Sequence, residues 1–166
     1  MVGAKGSAPK AAAPKGSGEK LIAINKKAKF DYSFLDSYEA GIALRGSEVK
    51  SLRDGQVQLK DAYVSFVGHE AFLQNAHIAV HKASSYNNHE PERKRKLLLN
   101  RIELDKIQRQ VEEKSLTCIP YRIYFKKGMV KVEIVIAKGK KHEDKRESIK
   151  TRDINREIAT RMKRGR

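Results

Sequence analysis

Long cationic side chains gather at three places in the sequence, and each place suits contact with phosphate groups. The first is the segment 25–29, which carries three lysines. The second is a short predicted helix in which Lys50 and Arg53 lie one turn apart. The third follows a strand that ends at Ala137, and its basic residues are Lys138, Lys140, Lys141, Lys145 and Arg146. Phosphate contacts need long cationic side chains and little else, so these clusters predict a polyanionic partner.

Residues that could catalyse a reaction or bind a metal are sparse. The five histidines are His69, His77, His81, His89 and His142. His77 and His81 have the i, i+4 spacing of a helical metal pair, but the local pattern is a strand that leads into a loop. The single cysteine, Cys118, is interpreted as a small buried side chain. Because no nucleophile elbow, phosphate-binding loop or dinucleotide fingerprint occurs, the sequence predicts no catalytic site, no metal and no cofactor.

The overall charge also favours a polyanionic partner. The 166 residues include 36 Lys and Arg against 20 Asp and Glu, a net charge of +16, and twelve of the basic residues lie in 138–166. Such a charge is typical of proteins that bind nucleic acid or an anionic membrane surface. No apolar run is long enough to cross a bilayer, and the N-terminus lacks the apolar core of a signal peptide. A cytoplasmic protein with no membrane partner is therefore expected.

Short strands and two helices must position these residues. Apolar alternation predicts strands at 38–45, 63–67, 71–78, 116–126 and 130–137. Ser47 is the candidate N-cap of a helix that ends at Asp54. A second, amphipathic helix is predicted from Leu98 to about Lys114. Pro120 is placed at a sheet edge or bulge, because it has no N–H for a strand ladder.

These elements predict a mainly β fold, an OB-like closed antiparallel barrel with accessory α-helices and disordered basic tails at both ends. A small β body avoids free sheet edges most economically by closing into a barrel. We expect 1–18 to be a disordered basic extension, since it consists largely of Ala, Lys, Gly, Pro and Ser. The barrel is expected to span 19–137 and to bind RNA, and 138–166 is expected to form a basic C-terminal tail.

The tail is predicted to be a conditional helix. Ile154, Ile158 and Met162 form one apolar stripe only if the segment is helical. An isolated helix of this length is marginal in water, and the basic residues of the tail repel one another. We therefore expect the tail to be unfolded alone and helical when it lies against a partner.

Six stretches of the sequence carry a resemblance to a known family. They are NKKAKFDY at 25–32, EAGIALRGSEVKSLR at 39–53, DAYV at 61–64, EAFLQNAHI at 70–78, RKRKLLL at 93–99 and KVEIVIAKGKKHEDKR at 131–146. On these residues the chain resembles the small protein B family, the SsrA-binding proteins of bacteria. The stretches occur in family order and cover nearly all of 20–157. GSEVKSLR and the AKGKK run followed by DKR are its most specific motifs.

The resemblance implies a noncatalytic RNA-binding adaptor. Proteins of this family bind the tRNA-like domain of transfer-messenger RNA and deliver it to stalled ribosomes for trans-translation. Their tail enters the empty mRNA channel of the small subunit near the decoding centre. Elongation factor Tu and alanyl-tRNA synthetase are implied as indirect partners that act on the same RNA. A monomer is expected.

The predicted RNA-binding residues come from the resemblance and from the basic clusters. Family positions that match Glu39, Leu98 and Lys131 are tied to transfer-messenger RNA. Basic and polar residues at loops and element ends of the body complete the set, because binding residues are concentrated there. They are Asn25, Lys26, Lys27, Arg45, Lys50 and Arg53.

The predicted ribosome-binding residues lie in the tail. The resemblance ties Asp144, Lys145, Arg146 and Met162 to accommodation on the ribosome. The basic run and the apolar stripe add Lys138, Lys140, Lys141, His142, Ile154 and Ile158. The family often has a stacking residue just before the DKR triplet, where this chain has Glu143. Either His142 supplies the stack or that contact is absent.

Two other functions stay open at this point. A generic ribosomal or RNA-chaperone protein with an OB-type barrel would bind RNA with no preference for the tRNA-like domain. An RNA-processing enzyme that uses a histidine would need a catalytic constellation, and the sequence offers none. The identity of the RNA that copurifies with the protein separates these alternatives.

Overall fold

The computed structural model describes residues 18–81 and 88–164, the side chains of 142, 163 and 164 excepted. The predicted disordered extension therefore lies outside the described residues, apart from Gly18. The strands are β1 (Glu19–Ile24), β2 (Tyr32–Ile42), β3 (Val57–Gln58), β4 (Tyr63–Val67), β5 (Glu70–Gln74), β6 (His77–Ile78), β7 (Arg95–Leu98), β8 (Thr117–Lys126) and β9 (Met129–Gly139). The helices are α1 (Lys26–Asp31), α2 (Gly46–Arg53), α3 (Arg101–Glu113) and α4 (His142–Arg164).

The fold class is confirmed as mainly β with helices, but the predicted closed barrel is wrong. Seven strands form one antiparallel sheet in the order β1-β8-β9-β2-β7-β5-β4, and the outer strands β1 and β4 do not pair with each other. β4 lies beside β8, but β8 already pairs with β9 and, along its C-terminal part, with β1. The side-chain amide of Asn25 donates to the carbonyl oxygen of Leu59, in the segment before β4, and to that of Pro120 on β8.

The strand β9 lies at the centre of the protein. The strand predicted at 130–137 is confirmed, and both of its faces are covered. Val132, Ile134 and Ile136 enter the main core. Val135 and Ala137 point to the opposite face, where they pack in a second cluster that includes Ala28 of α1. This double coverage makes β9 a rigid platform for the lysine side chains on it.

The structure corrects two local predictions, the cap of α2 and the element that contains Leu98, and it agrees with the one for Pro120. Helix α2 begins at Gly46 with Arg45 as N-cap, so Ser47 is not the cap. Glu48, at the third helical position, accepts a hydrogen bond from the Arg45 N–H at 2.7 Å, and this bond fixes Arg45 as the cap residue. Leu98 belongs to a strand and not to the following helix, because the β7 backbone pairs with β5 and β2. Pro120, predicted at a sheet edge or a bulge, lies at a bulge, as the shift of register between Pro120 and Arg122 shows.

The C-terminal end also differs from its predicted form. β9 continues to Gly139, two residues beyond the predicted boundary, because its last residues pair with the start of β2. The segment that follows, expected to be disordered alone, is the helix α4 in the structure. It has no glycine or proline between Lys140 and Arg164. The Asp144 carboxylate caps it by accepting a hydrogen bond from the Lys141 N–H at 3.2 Å. That the helix forms only against a partner stays a prediction.

Candidate nucleic-acid interface

One cleft brings together three of the predicted RNA-binding residues from distant parts of the chain. Gly41 on β2 lies directly opposite Lys131 on β9 and directly opposite Leu98 on β7. Glu39 is two positions earlier on β2 and therefore projects from the same face. All four residues line the cleft, together with His69, Glu70, Ala71, Lys96, Leu97, Leu99, Asn100, Glu103 and Leu104.

The glycine at the centre of this arrangement leaves room for Leu98. A Cβ atom at Gly41 would approach the Leu98 Cβ to 3.2 Å, which is tighter than ordinary contact. Leu98 is 55% exposed although it is a large apolar side chain. An exposed leucine beside polar groups offers a surface for a sugar or a base, while the cation of Lys131 attracts phosphate.

Glu39 is held in place by its neighbours on β8. One carboxylate oxygen, Oε2, accepts hydrogen bonds from Tyr124 Oη at 2.6 Å and from Lys126 Nζ at 2.8 Å. The hydrogen bonds from Lys126 and then from Tyr124 outweigh the effect of burial and lower the pKa of Glu39 below its ordinary value. Burial and the bond to Glu39 raise the pKa of the Tyr124 hydroxyl. Lys126 Nζ also lies 3.7 Å from a carboxylate oxygen of Glu19, so Glu39 has Tyr124 as one donor and shares Lys126 with Glu19 as the other.

Lys131 is half-buried beside this network and has no ion-pair or hydrogen-bond partner among the described residues. The neighbouring cations of the same sheet face are engaged. Lys96 pairs with Glu70, and Arg122 pairs with Glu133. Among the described residues of the cleft, Lys131 thus presents an ammonium group without a hydrogen-bond partner, and its charge helps to lower the pKa of Glu39. This arrangement suits a phosphate and a hydrogen-bond donor side by side.

The residues predicted at the start of the body lie at a different place. Asn25 is 6% exposed; its side chain accepts from the Ala28 N–H at 3.0 Å and donates to two carbonyl oxygens, so the structure gives it a supporting position. Lys27 forms an ion pair of 2.7 Å with Asp61, which raises the pKa of the lysine. Lys26 is exposed. None of these three is among the described residues that line the cleft.

The helix α2 presents the second predicted cluster to solvent. Arg45, Lys50 and Arg53 are all exposed, with the two helical residues one turn apart as predicted. They too are absent from the described lining of the cleft. The structure therefore separates the predicted set into three groups, which are the cleft residues, the exposed cations of α2 and the residues at the start of α1.

Behind α2 lies a buried ion-pair network that the sequence analysis missed. Glu48 is fully buried; its Oε1 accepts from Arg95 Nε at 2.8 Å and from Arg93 Nε at 2.8 Å. Arg95 is fully buried as well and also donates to the carbonyl oxygens of Ala76 and Pro91. Half of the basic run 93–96 is thus turned into the protein. The sequence does contain a signal for this burial. Side chains alternate between the two faces of a strand, so Arg95 lies on the same face as the apolar Leu97.

The network fixes the ionisation of its carboxylate. Burial alone would raise the pKa of Glu48, but the hydrogen bonds from the two arginines and from the Arg45 N–H outweigh it and lower the pKa. An ionised carboxylate and a guanidinium with no solvent contact hold α2 against β7. Leu98, at the end of β7, depends on that attachment for its position.

The start of the tail is attached to α1. Lys145 Nζ lies 3.0 Å from an oxygen of the Asp31 carboxylate, and the Lys140 N–H donates to the Asp31 carbonyl oxygen at 2.9 Å. Lys138, Lys141, Asp144 and Arg146 are exposed. Of His142 the structure describes the backbone alone.

The rest of the tail is a helix in solvent. Residues 150–162 are all exposed, including the predicted stripe, with Ile154 at 56%, Ile158 at 46% and Met162 at 74%. Side-chain hydrogen bonds in this part link residues of the helix itself, such as Thr160 Oγ1, which donates to the Arg156 carbonyl oxygen at 2.8 Å. The stripe thus has the predicted helical spacing and no cover from the body.

Other kinds of site have little support in the described part of the chain. Within residues 18–81 and 88–164, no group of three or more His, Cys, Asp or Glu side chains is arranged to hold a metal ion. Nor is any helix in these ranges both long and apolar enough to cross a membrane. Cys118 is 1% exposed, and burial raises the pKa of its thiol to about 12.

Comparison with known proteins gives consistent results. A family model described as SmpB protein matches residues 22–164. The SsrA-binding protein of Bdellovibrio bacteriovorus is 59% identical over 146 residues, which are 88% of this chain and 96% of that protein. The SsrA-binding protein of Solidesulfovibrio magneticus is 52% identical over 152 residues, 92% of this chain and 99% of its own.

A solved structure is similar as well. It is described as "tmRNA-SmpB: a journey to the center of the bacterial ribosome" and is 44% identical in sequence. The similarity covers 76% of this chain and 93% of the solved chain, with a TM-score of 0.63. Sequence and fold therefore agree over most of the chain.

Proposed function

Because the chain belongs to the SmpB family of SsrA-binding proteins, we propose that it binds transfer-messenger RNA and acts in trans-translation. The observation that carries the proposal is the cleft in which Glu39, Leu98 and Lys131 meet. These residues come from three strands of one sheet, so the fold presents them as one rigid surface.

The RNA bound at the cleft is the tRNA-like domain of transfer-messenger RNA. A folded RNA offers phosphates, 2′-hydroxyls and base edges at fixed distances, and a rigid sheet matches fixed distances at low cost in entropy. The exposed cations of α2 and the exposed Lys26 of α1 extend the positive surface that attracts the RNA backbone. Asn25 contributes by supporting α1 rather than by direct contact.

The tail acts on the ribosome. It enters the empty mRNA channel of the small subunit near the decoding centre. There its cations face RNA phosphates, and its apolar stripe packs against the channel wall. Support comes from the exposed face of α4, where Ile154, Ile158 and Met162 are uncovered by the body. Because residues 150–162 of the helix are all exposed, this part exchanges with unfolded chain in the free protein, and the channel stabilises it.

The protein acts without catalysis, as a cytoplasmic monomer. Elongation factor Tu and alanyl-tRNA synthetase are its partners only through the RNA that all three bind. Support for the noncatalytic role is the character of the cleft, where an ammonium group, a carboxylate and a leucine provide recognition. Support for RNA as the partner is the net charge of +16.

The experiment that tests this function measures RNA preference. Protein purified from cells is extracted, and the RNA that copurifies is sequenced. Transfer-messenger RNA is expected as the enriched species, and the isolated tRNA-like domain is expected to bind more tightly than an elongator tRNA at the same salt concentration. A broad mixture of ribosomal and messenger fragments, with equal affinity for both probes, would contradict the proposal and favour a general RNA chaperone.

A further inference from the structure

The carboxylate of Glu39 has one oxygen committed to protein donors and one oxygen without any. Tyr124 and Lys126 both donate to Oε2, at 2.6 Å and 2.8 Å. Among the described residues no donor reaches Oε1. The side chain is 38% exposed and lines the cleft. An ionised acceptor is therefore available where the RNA binds.

A carboxylate at this place has a definite chemical consequence. It repels phosphate, so it weakens any RNA that places its backbone there. It gains only from a hydrogen-bond donor, and RNA offers donors on its bases and on its 2′-hydroxyls. A carboxylate beside Lys131 thus distinguishes between RNAs, whereas the lysine attracts the backbone of all of them.

We propose that Tyr124 and Lys126 are positioning residues that hold Glu39 so that its free oxygen accepts a hydrogen bond from the RNA. The donor is an exocyclic amino group of a base or a 2′-hydroxyl. The inference rests on the proposed function, since the RNA in question is the tRNA-like domain. It adds two residues, neither of them a member of the predicted site, to the determinants of specificity.

The surroundings of Tyr124 explain how it can serve this purpose. Its ring is 3% exposed, and the Arg122 guanidinium carbon lies 4.9 Å from the ring centre. Arg122 is in turn paired with Glu133 on β9. The hydroxyl therefore points at Glu39 from a packed strand. Two donors on one oxygen fix the plane of the carboxylate, and with it the direction of the other oxygen.

The test compares small deletions of donors. Tyr124→Phe removes the hydroxyl and keeps the ring, with Tyr121→Phe as the matched control on the same strand. Lys126→Gln removes an exposed charge, with Lys20→Gln on the opposite face of the sheet as its control. Both test variants are expected to bind the tRNA-like domain about tenfold more weakly, the size of one charge-assisted hydrogen bond. The dependence of affinity on salt should not change, because no phosphate contact is lost.

A second measurement separates positioning from a general structural effect. The tRNA-like domain is prepared with single 2′-deoxynucleotides and, separately, with single bases that lack the exocyclic amino group. At one such position the modification should lower the affinity of the wild-type protein about tenfold. The same modification should not change the affinity of Glu39→Gln, and it should lower that of Tyr124→Phe by less than tenfold. The series that contains this position identifies the donor. A merely destabilised variant would keep the full penalty.

Three results would overturn the inference. One is unchanged affinity in both test variants. Another is a lower salt dependence for Lys126→Gln, which would make Lys126 a phosphate contact. The third is the absence, in both RNA series, of a position whose effect depends on Glu39. A wild-type protein that binds an elongator tRNA as tightly as the tRNA-like domain would instead overturn the proposed function.

Discussion

The cleft and the C-terminal tail present the same kinds of cationic side chain, but the protein fixes them to different degrees. In the cleft, Lys131 lies on a strand that is covered on both faces, and Glu39 beside it is held by two donors of β8. In the tail, Lys140 and Lys145 tie the start of α4 to α1, and residues 150–162 are all exposed.

This difference matches two kinds of target. A rigid surface binds a folded RNA well because little conformational entropy is lost on binding. A helix that is uncovered along most of its length can leave the body and fold inside a channel, at the cost of being marginal alone. A positive charge thus indicates an RNA partner, whereas the packing beneath the charge indicates how that RNA is bound.

The largest effect on stability is expected when the buried ion pair between Glu48 and Arg95, behind α2, is broken. Glu48→Gln leaves Arg95 buried without its counter-charge and should lower the free energy of unfolding by about 3–5 kcal/mol. The matched control is Glu70→Gln, which breaks an exposed pair with Lys96 and should change stability by less than about 1 kcal/mol. Urea denaturation at pH 7 measures both; similar small losses in the two variants would contradict a supporting network.

The same carboxylate gives the stability a pH dependence. Because the pKa of Glu48 is lower in the folded protein than its ordinary value of 4.5, its contribution is fully present above that pH. It is lost as the pH falls through the folded-state pKa. Wild-type protein should therefore lose more stability between pH 5 and pH 3 than Glu48→Gln does, and equal losses would rule out this carboxylate as the cause.

The next effect belongs to the tail. Proline in a helix interior costs about 3 kcal/mol, so Ile158→Pro should impair accommodation on the ribosome and reduce peptide tagging. Binding of the tRNA-like domain should not change. Ile158→Ala is the control that shortens the stripe and keeps the helix. Backbone NMR shifts of 142–164 in the free protein complete the test, since stable helical shifts together with full activity of the proline variant would refute a conditional helix.

A smaller effect is expected at the cleft cation. Lys131→Glu should weaken binding of the tRNA-like domain about tenfold, or about 1.4 kcal/mol, with the fold intact. If Lys131 contacts one phosphate, the slope of log affinity against log salt should fall by about 0.9, or about 0.7 for less structured RNA. Lys138→Glu, on the same strand but exposed at its end, is the control. An unchanged affinity and slope would exclude Lys131 as a contact.

The smallest effect concerns the attachment of the tail. Asp31→Asn removes the partner of Lys145, and an exposed or half-exposed pair contributes about 0.2–1 kcal/mol. The global stability should therefore barely change, while the NMR signals of the first turns of α4 should shift toward those of unfolded chain. Unchanged signals there would show that the ion pair does not hold the tail.

Much of the fold could be predicted because it depends on local pattern. The alternation around Val132 and Ile134 identifies β9 since a strand presents every second residue to the core. The closed barrel was wrong because closure depends on which edges pair, and no local pattern records that Asn25 bridges β8 and the segment before β4. Leu98 was assigned to a helix because its apolar neighbours fit both periods, and pairing with β2 and β5 decided for a strand.

The candidate site shows the same limit. Glu39, Leu98 and Lys131 are far apart in the sequence, and only the resemblance to a family linked them before the structure placed them in one cleft. Tyr124 and Lys126 were missed because tyrosines and lysines in strands are common, and their role depends on the register between β8, β9 and β2. Local pattern predicts the strands, whereas the register between strands determines which side chains share the cleft.

The measurement that tests the division between cleft and tail most directly uses the chain truncated after Lys141. This variant keeps β9 and its pairing with β2 and loses α4. Its affinity for the tRNA-like domain and its ability to support peptide tagging on stalled ribosomes are measured in parallel with the full chain. The truncated chain is expected to bind the tRNA-like domain with an affinity within about twofold of that of the full chain, where tenfold would correspond to about 1.4 kcal/mol. It is expected to support no tagging. Tagging by the truncated chain, or loss of most of its RNA affinity, would contradict the division between cleft and tail.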